Sequence, residues 1–500
     1  MVSELEILLQ EEPPMDSTTA ETSTQLRNFL EIPYDELEDM NLESKRNRAK
    51  RVDPAAIERS RHEYLASEKR IKAVTVCFSD LEGRFHMLDY DKKYLLENAG
   101  NLTFDGSSIR GFAEIDQSDL KLAIDWSAFY WLPADIFGPG KVIVFGEVCD
   151  QDGAPYEADF RSRLRLLTEE LYTTEGLVFN ASPEIEGFLF KGLEAERLYY
   201  KTGCFELIST GGYYHSLPQD PLRQFIDRSA EAQRALGLGN EKDHPEVAPS
   251  QFEMNFRYDN AIMTADHIQL YKLICRQVAQ RFGMTASFLP KPIAGINGSG
   301  MHANVSLSRD GKNLFHDPNG PDGLSQRGWD FIDRILSAAV DICLVLNPSV
   351  NAYRRLDPNF EAPNQIKASA SNRAAMVRIP LGNERTARIE VRSVSADTNP
   401  YMLFYTLLRT GTEAPLPDNA DAEGKRTRTR FLPGNIHDAI RLFKGSQLIA
   451  GILGESCRDK LVQLKQISAD RCPKELGTLV KREEVMFHHE VTNQMLWGMF

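Results

Sequence analysis

The sequence predicts an α+β fold in more than one domain: a small β-rich N-terminal unit, then a large domain of alternating helices and strands. Three observations predict it. The 500 residues exceed the size at which one hydrophobic core stops growing. Strand signals crowd the stretch between Ile71 and Val148, and from Phe160 to Gly411 helical spacing alternates with strands of period two. A composition of 42% hydrophobic and 26% charged residues is that of an ordinary globular chain.

Residues 1–53 carry Pro13, Pro14, a polar run, an acidic cluster from Tyr34 to Glu43 and the basic "KRNRAKR" of 45–51. Such blocks offer little apolar surface to bury, so the segment reads as a mobile, solvated extension, although its basic run could dock on an acidic neighbour. Residues 54–159 form the N-terminal domain. There "IKAVTVCFSDLEGRFHMLDY" reads as two strands joined by a turn at Leu81-Glu82-Gly83, and "KVIVFGEV" at 141–148 supplies another. Trp126 and Trp131, with Phe129 and Tyr130, read as core or as a subunit interface. Residues 160–500 form the second domain, opening on a helix from Phe160 to Gly176. After Gly411 comes a polar loop, then helices over 436–453 and 458–497, and the chain ends "QMLWGMF". An apolar terminus frays unless something buries it, which implies a partner subunit.

Several function classes are excluded by composition. A net charge of −14 argues against nucleic-acid binding. Seven cysteines without CxxC pairing suggest neither a disulfide framework nor a zinc site, and are expected to be reduced, buried thiols. No apolar run reaches the roughly 18 residues of a membrane span, and the acidic start lacks signal-peptide features. A cytoplasmic protein without membrane or nucleic-acid partners is expected.

The polar faces of four strands point to chemistry. In "ASPEIEGFLF" (181–190), Glu184 and Glu186 are two apart and share a face. "SQFEMNFRY" (250–258) sets Gln251, Glu253 and Asn255 against Phe252, Met254 and Phe256; "MHANVSL" (301–307) sets His302, Asn304 and Ser306 against Met301, Ala303 and Val305. "ARIEVRS" (387–393) sets Arg388, Glu390 and Arg392 against Ile389 and Val391. A solvated antiparallel face explains any one strand. Four together carry carboxylates, an imidazole and guanidiniums but no lysine. On one concave sheet these acids could not all stay ionised without a cation. Oxygen ligands with one imidazole favour Mg²⁺ or Mn²⁺, and arginines beside them suit phosphoryl transfer. No Walker A motif is present, so a nucleotide needs another scaffold.

The connecting blocks carry a resemblance. "FDGSSIRGF" (104–112), "HPEVAPSQFE" (244–253), "KPIAGINGSGMH" (291–302), "NPSVNAYRRLDPNFEAP" (347–363), "NRAAMVRIP" (372–380) and "RIEVRSVSADTNPY" (388–401) resemble, in order, the signature blocks of glutamine synthetases. "EVAPSQ" and "RIEVRSV" are closest to the non-adenylylated Gram-positive and archaeal branch of class I. The resemblance implies a β-grasp-like N-terminal domain and a catalytic domain whose antiparallel strands form a half-barrel with helices outside. It implies ATP-dependent ligation of ammonia to glutamate through γ-glutamyl phosphate.

By the same resemblance Glu186, Glu246 and Glu253 hold one metal, and Glu184, His302 and Glu390 a second, both Mg²⁺ or Mn²⁺. Asn297, Gly298, Arg355 and Arg392 contact glutamate. Arg373 and Arg378, with Asn304 and Ser306, serve the nucleotide and its phosphates. Glu361 is the flap acid, and Asp105, Ser108 and Tyr213 form an ammonium pocket, with Asp105 reaching a neighbouring subunit. Without the resemblance Asp105 would read as a turn residue and Glu361 as an exposed loop acid. A homo-oligomer of two six-membered rings is implied.

Departures from the family pattern are "NAYRRL", "DPNF" before Glu361, and Gly187 where an aromatic is usual; Gly187→Phe is expected to leave metal binding intact. The loop after Gly411 lacks an adenylylation tyrosine, and Glu114 replaces a feedback arginine, so both controls are expected to be absent. A γ-glutamyl-amine ligase and a non-catalytic assembly protein are the competing readings.

Overall fold

The computed structural model describes residues 28–113, 118–215, 219–356, 363–417 and 429–474. Glu361, Glu114 and the C-terminal "QMLWGMF" lie outside the described residues, as do residues 1–27.

The N-terminal sheet contains β1 (Ala73–Ser79), β2 (Phe85–Asp91), β3 (Leu102–Asp105), β4 (Asp119–Trp131) and β5 (Val142–Cys149), in the order β2-β1-β5-β4-β3. β1 and β5 run parallel and the other pairs antiparallel. The expected turn between β1 and β2 forms with Gly83 at φ +88°, a conformation open to glycine.

Among the described residues the large sheet has ten strands: β6 (Leu177–Lys191), β7 (Asn240–Pro245), β8 (Gln251–Phe256), β9 (Asp259–Asn260), β10 (Met284–Ser287), β11 (Met301–Arg309), β12 (Lys312–Asn313), β13 (Gln365–Ser369), β14 (Ala375–Arg378) and β15 (Ile389–Val391). Its main path runs β13-β14-β15-β11-β6-β8-β7. The expected antiparallel sheet differs at one edge, where β13 and β14 pair in parallel. The helix Phe160–Glu175 ends at Gly176 in the left-handed conformation. The 21-residue helix Ala261–Arg281 is buried along most of its length and packs on the sheet. The polar face of β8 is dry, with Gln251, Glu253 and Asn255 buried, whereas Glu184 and Glu186 on β6 are half-buried.

The extension expected over 1–53 gives way, within its described part, to a helix, α1 (Tyr34–Ala49), followed by α2 (Pro54–Ser67). α1 buries Leu37, Asn41 and Ser44. The Asn41 amide donates to the Trp131 and Ala235 carbonyls at 3.0 and 2.8 Å and accepts from the Trp131 N–H at 3.1 Å. Its basic residues are docked, with Lys45 3.1 Å from Asp259 and Arg48 2.8 Å from Asp266. Polarity misled the sequence reading because the polar side chains of α1 satisfy distant backbone carbonyls and buried acids instead of water.

Trp126 and Trp131 are buried in the core, as one of the two readings had it. Cys77, Cys275, Cys343 and Cys457 are buried, free thiols; the expectation of burial fails at Cys149, which is half-buried, and at Cys204, which is exposed.

Gly187 sits opposite Phe252 in the β6–β8 register. A Cβ built there would lie 2.6 Å from the Phe252 ring and 3.1 Å from Phe288. The ring of the neighbouring strand thus covers the glycine, a cross-strand substitute for the missing aromatic. A second ring at Gly187 would meet both Phe252 and Phe288, so Gly187→Phe is expected to perturb packing whatever its effect on metal binding. Even Gly187→Ala is expected to destabilise the protein by about 1–3 kcal/mol through overpacking, read as a lower urea midpoint. An unchanged midpoint would show that Phe252 moves freely.

Candidate functional site

Strand pairing assembles the site. β6 lies between β11 and β8, so Glu184 meets His302 on one side and Glu186 meets Glu253 on the other. Asn304 pairs with Glu390 on β15, and Arg378 of β14 lies opposite Glu390. The two-residue spacing of the β6 glutamates therefore points them to opposite halves of one floor.

In the first half, oxygen and nitrogen atoms of Glu184, His302 and Glu390 lie within 4.8 Å of one another. His302 Nδ1 is 3.3 Å from Glu184 and 3.5 Å from Glu390. The Asn304 amide donates to Glu184 at 3.0 Å, and Arg388 Nε donates to the Asn304 oxygen at 2.8 Å. Burial pushes the Glu184 carboxyl up, but its hydrogen bond and charge interaction with His302 win and bring it down to about 2. Glu390 is fully buried between Arg378, at 2.9 Å, and Arg392, which also donates to it.

In the second half the grouped donors are His244, Glu246 and Glu253, again within 4.8 Å. Glu186 stands at the edge of this group, accepting from the Gly300 N–H at 2.7 Å. Its charge is still felt. Burial, then Glu186 and Glu253, raise Glu246 to about 9; burial, then Glu186 and Glu184, raise Glu253 to about 7. His244 was not anticipated as a donor, although it opens the "HPEVAPSQFE" block. Only the β7–β8 register, which sets it across from Glu253, reveals it. Burial lowers the His244 value, favouring a neutral imidazole.

Between the halves runs the loop 291–300. Gly298 is required there: a Cβ would come 2.3 Å from the Pro290 carbonyl and 3.1 Å from Arg355. The Gln251 amide donates to the Gly298 carbonyl at 3.0 Å, and Asn297 is the neighbouring loop residue. Arg355 is buried, donates to the Val394 and Arg392 carbonyls at 3.0 and 3.3 Å, and is 3.4 Å from His302 Nε2. Arg392 Nε donates to the Arg373 carbonyl at 3.2 Å, which ties Arg373, exposed, to this rim. Ser306, one pleat from Asn304, is 3.5 Å from the Asn180 amide.

Not every candidate joins this group. Asp105 is exposed at the end of β3, where its carboxylate accepts from the Ser107 N–H at 2.9 Å and from the Ser107 and Ser108 hydroxyls. These bonds, Ser107 first, lower its value. Tyr213 stacks on Tyr214 at 3.8 Å and meets His244 edge-on at 5.8 Å, which places it beside the second half.

A curved sheet whose floor holds two acid-rich donor sets, framed by arginines, defines a class of enzymes that bring anions together beside divalent cations. Residues 157–479 match the family model described as "Glutamine synthetase, catalytic domain", and residues 70–151 the one described as "Glutamine synthetase, beta-Grasp domain". A relative named glutamine synthetase from Methanosarcina mazei is 37% identical over 81% of this chain and 92% of its own length. One from Thermotoga maritima is 34% identical over 84% and 97%. A solved structure described as "GmaS/ADP complex-Conformation 1" superposes with a TM-score of 0.72 at 27% identity, covering 85% of this chain and 98% of the other. The chain belongs to the glutamine synthetase family.

Proposed function

We propose that this chain ligates ammonia to L-glutamate at the expense of ATP, through γ-glutamyl phosphate, releasing L-glutamine, ADP and phosphate. The observation that carries the reading is the strand β6, whose Glu184 and Glu186 face two separate donor sets across one floor. A carboxylate is a poor acyl donor until phosphorylated, so two anions must be held together, which demands concentrated positive charge.

The donor sets fit divalent cations. In the second set burial and the neighbouring carboxylates raise Glu246 and Glu253, and oxygen donors with an imidazole in each set suit Mg²⁺ or Mn²⁺. Glu184, His302 and Glu390 would hold one ion; Glu246 and Glu253, with Glu186 and the added His244, would hold the other. Such ions neutralise phosphate and carboxylate charge when bound. The remaining work falls to side chains. Arg355 and Arg392, with Asn297 and Gly298, position glutamate. Arg373 and Arg378 offset charge on the phosphoryl group in transfer, beside Asn304 and Ser306 at the nucleotide. Glu361 accepts a proton from ammonium, and Asp105, Ser108 and Tyr213 hold it. Because Asp105 lies exposed on the N-terminal sheet, its service in a neighbouring copy accords with an assembly of two six-membered rings. Among the described residues no helix is long and apolar enough to cross a membrane.

Two measurements test this reading. Turnover is expected with ammonium and to be at least ~10-fold weaker with an amine panel; turnover with amines alone would replace ammonia by an amine as the substrate. The second is a metal titration against pH. Glu246 and Glu253 titrate at about 9 and about 7 in the folded chain against an ordinary 4.5. The metal-free fold thus binds protons that the unfolded chain releases, so stability present below the ordinary value is lost as pH rises towards 9. Added Mg²⁺ is expected to raise the melting temperature more near pH ~8 than near pH ~6. A rise independent of pH would place the ions elsewhere.

A further inference from the structure

On the assignment of the two donor sets to cations made above, we infer that Tyr271, aided by Thr264, is a positioning residue: its hydroxyl holds the β6 backbone between Glu184 and Glu186 and so fixes where the two carboxylates stand. β6 changes partner at this point. It pairs with β8 from Glu186, opposite Glu253, to Phe188, and with β9 at Asn180 and Ala181, opposite Asn260 and Asp259. The two registers are one residue out of step, and on that side the ladder has no pair for residues 182–185 among the described residues. An extra residue on one strand makes a bulge, a device that disrupts the ladder locally and recurs beside active sites. β6 stays paired with β11 on its other side, so Glu184 stands on a stretch that the ladder holds from one side alone.

Hydroxyls bind this stretch instead. Ser182 donates to the Phe256 carbonyl at 2.9 Å, Thr264 to the Ala181 carbonyl at 2.9 Å and Tyr271 to the Ile185 carbonyl at 3.0 Å. Thr264 and Tyr271 are about two turns apart on the helix Ala261–Arg281, so one helix face clamps β6 on both sides of Glu184. The Tyr271 ring is fully buried and tilts against Phe256 and Phe288, with ring centres 6.2 and 5.9 Å away, which fixes the hydroxyl in place. Any buried tyrosine finds an acceptor. This acceptor is the carbonyl between the two glutamates that face separate donor sets, so a shift there moves both carboxylates. Groups that orient metal ligands from outside the coordination shell typically change metal affinity ~10–100-fold when lost.

The test is a Mn²⁺ titration of the full chain stripped of metal by a chelator, with free Mn²⁺ read from its electron paramagnetic resonance signal. The parent is expected to bind two ions, and Tyr271→Phe, which keeps the ring, to bind both ~10-fold or more weakly. Tyr401→Phe is the control, because it removes a hydroxyl that is also buried but is bound to Asp266, at 2.7 Å. Its Mn²⁺ affinities are expected to match the parent's even where its melting temperature falls. Parent-like affinities in Tyr271→Phe, or an equal loss in Tyr401→Phe, overturn the positioning role while the donor sets stand. A parent that binds fewer than two ions overturns the donor sets and the role together. Should Tyr271→Phe fail to fold, Thr264→Val decides: ~10-fold weaker binding of at least one ion is expected, and two unchanged affinities overturn the clamp.

Discussion

Replacing Glu390 by glutamine is expected to lower kcat for glutamine formation by at least ~100-fold. Glu390 has no solvent exposure and its carboxylate is shared by Arg378, Arg392 and His302. Glutamine keeps the shape but removes the charge. Two guanidiniums then face a neutral amide, and on the proposed assignment the first donor set loses one of its anionic ligands. Steady-state kinetics and melting curves with and without Mg²⁺ separate the effects: a catalytic and metal-holding role predicts that kcat and the Mg²⁺-dependent rise both fall. A kcat within threefold of the parent would remove Glu390 from the machinery.

The largest stability effect is expected at Asp266. Its side chain is fully buried and accepts from Arg161 at 2.9 and 3.0 Å, from Tyr401 at 2.7 Å, and lies 2.8 Å from Arg48. Arg161 also reaches Asp125 at 2.7 Å and Glu147 at 3.3 Å. These residues come from α1, the N-terminal sheet and three helices of the large domain, so the network locks the two domains and the N-terminal helix together. Asp266→Ala strands two buried guanidiniums and is expected to cost about 3–5 kcal/mol, because breaking one side of a buried ion pair leaves charge uncompensated. Asp266→Asn, which keeps acceptor geometry without charge, should fall between. Urea midpoints would check this; a shift for Asp266→Ala no larger than that of an exposed substitution would show that Asp125 and Glu147 suffice.

Much of the site was legible before any coordinates. Period-two alternation exposed the polar faces of β6, β8, β11 and β15 because side chains on a strand must alternate. What alternation cannot supply is which strands are neighbours. Glu184 and His302 are 118 residues apart, and only sheet register brings them to 3.3 Å. His244 escaped notice for the same reason, its role arising from lying across from Glu253 on another strand. Gly187 looked like a vacancy in the sequence and is filled by the ring opposite. The helix α1 misled most: its polar residues resemble a solvated tail, and the carbonyls they satisfy lie 90 and 194 residues away.

The amino-acid sequence by itself determined the α+β class, the family, and the identity of the residues that can bear charge on the catalytic strands, since these depend on local periodicity and on motif content. Tertiary structure alone decided how those charges are grouped: Glu186 turned to Gly300, His244 joined to Glu246 and Glu253, and Asp105 held outside the acidic floor. It also decided that the segment before residue 54 is partly built in, with Arg48 closing the Asp266 network. The physical reason is one of range. Periodicity is written into neighbouring residues, whereas ion pairing, desolvation and cavity shape depend on groups that only the folded chain brings together.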